Sequence, residues 1–443
     1  MEKSGRDEII LLFDFYNRGS HDLFASFKNA GVDCRAVVIN DDGFLPEDVT
    51  NIYEYFLGQK PMGKPLYFNQ IKVPDYWEIS ANNTSGSVHD KVKERGRIFF
   101  SEPTHKRHVK VVDWVDEEVN VRLSEHYNSQ GRLYARTVFN KKSEKVSKSY
   151  FDVDDREVIV ENFVTSDIIL NYGEKTRIFK NRTEFVSYFI KEMGWEKNRI
   201  FFNSLSTPFF VSNAMPHGEK KRDILFWQEH TGSEIPGNMK AIFDGLASRC
   251  EKVIVQNKAS YEKLISLGAP AEKLAQLGFI YSFKKENRGR KEALICTNTE
   301  NVEKLKEIVE ALPEIKFHVT ALTEMSGKLL SHEKYENVIM YPNVKMATLD
   351  RLFMQCDFFL DINHEGEIVE ATRRAFLHNL LILGFEETCH GKEYTAIENI
   401  YSIRNYKGLI DRISEMNNHE ILQKAMESQH AAALTATVKE YEF

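Results

Sequence analysis

Asp361-Ile-Asn-His-Glu-Gly-Glu-Ile-Val-Glu-Ala371, followed by Leu381-Ile-Leu-Gly-Phe385, reads as the end of a strand, a loop, the start of a helix and a second strand. In an α/β domain, ligands meet side chains there, just outside the carboxyl ends of the strands. Upstream the same alternation recurs as Ala293–Thr297, Val302–Leu312, Lys316–Thr320, Val338–Tyr341, Leu349–Met354 and Asp357–Asp361. Apolar runs of strand length alternate with stretches of helical period, which is the pattern of a parallel sheet covered by helices. The segment is continued as a helix over Glu367–His378 and a strand over Leu380–Leu383. A polar, helix-forming stretch, Gly408–Thr437, ends the chain.

A second series of the same kind precedes this one. Ile9–Phe15 is a continuous apolar run; Leu23, Phe24, Phe27 and Ala30 follow at helical spacing, Gly31 closes the helix, and Ala36–Ile39 reads as a strand. The first turn is Asp14-Phe-Tyr-Asn-Arg-Gly19 rather than a glycine-rich phosphate loop, so no dinucleotide is expected. The series resumes with a helix over Arg182–Met193, strands Arg199–Phe202 and Asp223–Trp227, helix Gly237–Ser248, strand Lys252–Gln256, helix Ala259–Leu267 and strand Leu274–Leu277. Between the two parts of this series, Pro65–Phe179 gives short alternating runs separated by turns such as Ser129-Gln130-Gly131, the pattern of an antiparallel meander.

The expected architecture is therefore α/β: two Rossmann-like domains facing a cleft, with a large antiparallel β-sheet domain inserted in the first. The boundaries are 1–64 and 180–283 for the first Rossmann-like domain, 65–179 for the insertion and 291–429 for the second. The basic stretch Phe283-Lys-Lys-Glu-Asn-Arg-Gly-Arg-Lys291 is read as the linker, and a C-terminal helix over about 430–443 is expected to pack back on the first domain. Two Rossmann-like domains in this order are the arrangement of GT-B glycosyltransferases.

Composition narrows the function classes. A formal net charge of -7 over 443 residues disfavours nucleic acid as the main partner. Five scattered cysteines without a CxxC pair suit a reducing compartment and carry no zinc signature, and His105 and His108 lack ligand companions, so no metal and no cofactor are expected. The charged N-terminal stretch Met1–Asp7 leads into an apolar run too short for a signal peptide or a membrane span. The reading is cytoplasmic, with peripheral attachment to the cell membrane left open.

Several segments resemble retaining GT-B transferases: Ile254-Val-Gln-Asn-Lys258, Tyr261–Gly268, Ala271-Glu-Lys-Leu-Ala-Gln-Leu-Gly278, and Glu370-Ala371, which looks like the Glu-Ala of an E-x7-E signature. Leu12-Phe-Asp-Phe-Tyr-Asn17, Asn40-Asp-Asp-Gly-Phe-Leu-Pro46 and the large insertion resemble one family over nearly the whole chain. It is the non-catalytic stabilising subunit, often called GtfB, of the bacterial O-GlcNAc transferase complex that modifies serine-rich repeat adhesins in the accessory Sec pathway. The resemblance implies a GT-B fold, a homologous catalytic O-GlcNAc transferase as partner contacted through the insertion, and a role in holding the Ser/Thr-rich adhesin polypeptide.

A retaining donor site needs cations on the diphosphate and carboxylates on the sugar and ribose. Ile295-Cys-Thr-Asn-Thr-Glu-Asn301 has no Arg, carries Glu300 where phosphate would be repelled, and is followed only by Lys304; the signature's first Glu falls at Ile362. No catalytic residue is therefore assigned. The alternative is an active retaining transferase using Glu365, Glu367 or Glu370. For the acceptor polypeptide the cleft candidates are Trp227, His230, His364, Glu365 and Glu370. Each has a plainer reading: a structural hydrogen bond for His230, helix-terminus contacts for His364 and Glu365, and a solvated helix face or a salt bridge with Arg373 or Arg374 for Glu367 and Glu370. For the partner subunit the candidates are Trp77, Trp114, Tyr134 and Phe139, which alternate with polar residues along the insertion.

Overall fold

Ile9–Phe13, all buried, form an inner strand of a seven-stranded parallel sheet in the computed structural model. The structure describes residues 8–58, 62–217, 222–247 and 249–443; Met1–Asp7 and Ser248, the expected end of one helix, lie outside the described residues. Across the sheet the strands run Leu274–Gln276, Cys250–Val255, Asp223–Trp227, Arg199–Phe202, Ile9–Phe13, Cys34–Val38 and Val49–Asn51. Uninterrupted apolar strands such as Ile224-Leu-Phe-Trp227 are needed because helices cover both faces.

Ten strands from Glu78–Ala81 to Lys175–Phe179 form the inserted sheet, each pairing antiparallel with its sequence neighbours. Strand register shows how it is attached. Residues directly opposite one another share a face, so Ile98, Val112, Glu125, Arg136, Ser149, Val160, Ile169 and Ile178 make one row across the sheet. Val111, His126, Ala135, Tyr150, Ile159 and Leu170 make the adjacent row on the other face. The two rows are covered at opposite ends. Tyr150, Ile159 and Leu170 join one core with Tyr53 and Phe56 of helix Ile52–Leu57 and Phe185 and Phe189 of helix Arg182–Glu192. Ile98 and Val112 are instead covered, on the opposite face, by Ile71, Leu66, Phe68 and Val73 of the segment entering the sheet. Beyond each cover the row becomes accessible: Ile178 is 68% exposed and Val138 44% on one face, Phe99 45% on the other.

Described by itself, the second unit (Leu277–Phe443) is a six-stranded parallel sheet: Val338–Tyr341, Lys316–Thr320, Glu292–Cys296, Phe358–Asp361, Leu381–Phe385 and Ile400–Tyr401. The stretch read as a linker is a bound strap within this unit. Lys285, the backbone amides of Arg288 and Arg290, and the Arg290 guanidinium all converge on the buried carboxylate of Asp357.

The helix anticipated over 430–443 is also different. Helix His419–Ala432 packs on the second sheet through Gln429, which donates to Leu380 O and accepts from Ile382 N, each at 2.8 Å. Leu434 then adopts a left-handed backbone (φ 49°), which stops the helix. Thr435 bridges Phe279, and Tyr441 donates to Gly278 O at 2.7 Å; both partners precede the boundary expected at 283 but belong to the second unit, which begins at Leu277. Among the described residues no helix is long and apolar enough to cross a membrane.

Candidate ligand sites at the carboxyl edges of the parallel sheets

Strand Phe358–Asp361 delivers Asp361 to the carboxyl edge of the second sheet, and Asp361 is 1% exposed. Its carboxylate is already committed. The backbone N–H of His390 donates to Oδ2 at 2.6 Å, and His390 Nδ1 lies 2.6 Å from Oδ1. The other ring nitrogen, Nε2, lies 2.5 Å from the carbonyl oxygen of Glu365. Both partners are acceptors only, so both ring nitrogens must carry protons. The hydrogen bond to Asp361 accordingly pushes the His390 pKa up to about 9, against the opposing effect of burial.

The loop leaving Asp361 is tied down at each step. Glu303 N donates to Ile362 O, His364 N donates to Asn301 O, and the His364 ring meets Glu303 at 2.8 Å. Ile362 itself is fully buried in the core of the second unit. Glu365 accepts from Thr299 Oγ1 at 3.3 Å. Glu365, Val369 and Glu370 all have left-handed backbones, which delays the helix. It starts at Ala371, not at Glu367. Glu367 and Glu370 therefore do not share a helix face. Glu367 caps the helix by accepting from Thr372 N at 2.6 Å, Glu370 is the exposed N-cap residue, and Arg374 pairs with Asp350.

The opposite side of the same edge is no better suited to a diphosphate. Thr297 and Thr299 fold the loop on itself, Glu300 lies 3.6 Å from Lys328, and the Lys304 ammonium faces Glu303 and Glu307. The Ser326 hydrogen bond and the Lys328 charge hold Glu300 below the usual carboxylate range, so its negative charge persists.

In the first unit, which ends at Gln276, Trp227 is buried with its indole N–H on Thr231 Oγ1 (3.3 Å), while His230 is exposed on the loop after the strand. Next to them lies a hydrogen-bonded series that the sequence reading did not identify. Gln228 donates to Gln256 Oε1 (2.8 Å) and Asn203 donates to Gln228 Oε1 (3.0 Å). Asp14 accepts from Ser206 and, at 2.8 Å, from Asn40. Arg182 donates to Asn40 Oδ1 (3.2 Å) and to the buried Glu161 of the inserted sheet. The available signal was a polar residue placed directly after four of the strands: Asp14, Asn203, Gln228 and Gln256. The series is made of carboxamides and hydroxyls together with one carboxylate, Asp14, and one guanidinium, Arg182, which are joined through Asn40.

On the insertion, Tyr134 is buried in the core shared with the helices of the first unit. Trp77 and Trp114 are half-buried against the distal core, Trp114 donating to Glu125 and Trp77 lying under Arg95. Phe139, also half-buried, sits at the end of its strand.

Comparison with known proteins places this geometry. The chain is 44% identical over 437 residues, 98% of each sequence, to the UDP-N-acetylglucosamine--peptide N-acetylglucosaminyltransferase stabilizing protein GtfB of Streptococcus agalactiae. It belongs to the GtfB family. Family models match in series: the GtfB N-terminal domain at 10–56, middle domain at 77–180 and third domain at 182–267, and the GftB/GlyA-F C-terminal domain at 293–429. A chain in a crystal structure of a GtfA/B complex bound to UDP and GlcNAc is 39% identical, with TM-score 0.92 over 98% of both chains. The pneumococcal O-GlcNAc transferase GtfA is 13% identical with TM-score 0.54 over 98% of this chain and 97% of that one, a likeness of fold alone. The fold is GT-B-like, as the element order implied.

Proposed function

We propose that the protein is the non-catalytic subunit of a two-subunit O-GlcNAc transferase: it stabilises a homologous catalytic partner and helps hold the Ser/Thr-rich polypeptide to be glycosylated. The observation that carries this reading is the closed loop at Asp361. The carboxylate is held by His390, and Ile362 replaces the signature Glu inside the core. The GtfB relatives are named as stabilizing proteins, and a 39% identical chain occurs in a GtfA/B complex. Stabilisation is then mass action: a partner that binds only the folded enzyme lowers its unfolded fraction.

The partner docks on the uncovered end of the inserted sheet, where Val138, Val160, Ile169 and Ile178 lie on one face. The acceptor polypeptide lies along the amide-rich edge of the first sheet, near Trp227 and His230, where tethering raises its concentration at the active partner. A serine-rich adhesin awaiting export in the cytoplasm, with or without attachment of the complex to the membrane, fits a chain whose five cysteines are all free.

Deleting Pro65–Phe179 is not a clean test, because that removal would strip the core around Tyr53 and Phe185. Val138→Arg with Ile178→Arg leaves that core intact. Coexpressed with the catalytic partner, the double variant is expected to melt like wild type but to recover at least tenfold less complex. Full recovery of complex would refute the assigned surface. Titration of the isolated subunit with UDP-GlcNAc should produce no binding heat; micromolar binding would overturn the non-catalytic reading.

A further inference from the structure

At the amino-terminal edge of the second sheet, away from the Asp361 loop, three elements bring a carboxylate, an imidazole and a thiol together. Glu292 opens the strand Glu292–Cys296, and His318 lies on the neighbouring strand Lys316–Thr320. Cys356 follows helix Met346–Gln355. Their ligating atoms all lie within 4.8 Å of one another. His318 and Cys356 are buried and Glu292 is half-buried.

We propose that Glu292, His318 and Cys356 bind one zinc ion through three protein ligands. A thiolate, an imidazole and a carboxylate form a mixed ligand set that zinc accepts, with bonds of about 2.0–2.3 Å and a fourth position for water. Oriented partners surround the set. Gln355 Nε2 donates to Glu292 Oε2 at 2.5 Å, and Tyr341 Oη lies 3.0 Å from His318 Nδ1. Such outer contacts hold ligands in position and select the imidazole tautomer. His318 Nε2 faces Glu292 at 2.9 Å and would turn its lone pair to the metal as its proton moves to Nδ1, toward Tyr341. Burial lowers the His318 pKa, so the ring is already neutral.

Among the described residues the Cys356 thiol donates no hydrogen bond, and burial raises its pKa, so it is protonated until a cation displaces the proton. Of the nearby cations, Lys285 and Arg290 are neutralised by Asp357, which accepts from both, while Lys316 and Arg351 add to burial in lowering the His318 pKa. The balance is one zinc bound and one thiol proton released, so affinity should fall about tenfold for each unit of pH lowered. The site leaves no linear motif, since its ligands stand at 292, 318 and 356 on separate elements.

The experiment uses the full chain, freed of metal and titrated with Zn²⁺ and, separately, with Co²⁺. One ion per chain is expected, with cobalt giving a thiolate-to-metal charge-transfer band and tetrahedral visible absorption. Cys356→Ser should abolish the charge-transfer band and weaken zinc binding at least a hundredfold, and His318→Gln should weaken it similarly. The wild-type cobalt spectrum needs no variant, so misfolding of a variant cannot mask the outcome. Absence of the charge-transfer band in wild type, or retention of stoichiometric zinc by Cys356→Ser, would overturn the proposal.

Discussion

His390 and Asp361 meet twice, through the backbone N–H of His390 on Oδ2 and the ring Nδ1 on Oδ1, each at 2.6 Å. Because the same ring also donates to Glu365 O, one imidazolium ties a strand end to the loop that leaves it.

Replacing His390 with Ala should cost about 2 kcal/mol at pH 6, the range for hydrogen bonds to a charged group. The folded pKa, about 9, lies above the ordinary histidine value of 6.5, so the contribution is full below about pH 6.5 and is lost as pH rises through about 9. Denaturant melts of wild type and His390→Ala should therefore differ at pH 6 and converge by pH 10. A gap that stays constant across this range would show that the ring is not charged in the folded state.

Arg182 and Glu161 join the inserted sheet to the first Rossmann-like domain. Glu161 is 6% exposed, and Arg182 also reaches Asn40 and through it Asp14. Arg182→Met leaves a buried carboxylate without its cation and should destabilise by about 3 kcal/mol. Adding Glu161→Met removes the stranded charge, so the double variant should be more stable than Arg182→Met alone. Additive losses in a double-mutant cycle measured by chemical denaturation would disprove the coupling.

The parts of this molecule legible in its sequence are those set by local periodicity. Ile9–Phe13 and Ile224–Trp227 announce buried parallel strands by unbroken apolar runs, and the meander announces itself by alternation and turns. The departures from the donor-site pattern were readable at Ile362 and Glu300, because they rest on residue identity. The helix start at Ala371 was not readable: three non-glycine residues, Glu365, Val369 and Glu370, take left-handed conformations that only tertiary contacts can enforce. His390 could not be linked to Asp361 for the same reason, since 29 residues and a strand separate them. Alternation along the insertion showed that one face is packed, but not that the packed face changes halfway across the sheet.

Asp41 offers a test with the opposite sign. Its Oδ1 accepts from Gly43 N at 2.7 Å, its Oδ2 is shielded and has no hydrogen-bond partner among the described residues, and burial pushes its pKa up to about 7. A carboxyl with a folded pKa above its unfolded value stabilises most when protonated, so its contribution declines as pH rises from about 4 through 7. Asp41→Asn cannot ionise. Relative to wild type it should gain about 2 kcal/mol between pH 5 and pH 8. A difference that is flat with pH in parallel urea melts would mean that Asp41 ionises freely.

The last ten residues depend on one glycine. A Cβ built on Gly278 would lie 1.5 Å from Leu434 O, and Phe279 N donates to that same oxygen at 3.1 Å. Gly278→Ala should therefore expel the segment from Leu434 onward and break the Tyr441 bond to Gly278 O. Losing the fully buried Tyr441 should cost about 3 kcal/mol. Hydrogen exchange of residues 434–443 should become fast in Gly278→Ala, and trypsin should cut after Lys439. A chain ending at Ala433 should melt at the same temperature as the variant, because both lack the docked tail. Slow exchange in Gly278→Ala would mean that the backbone shifts to accept the methyl group and the tail stays in place.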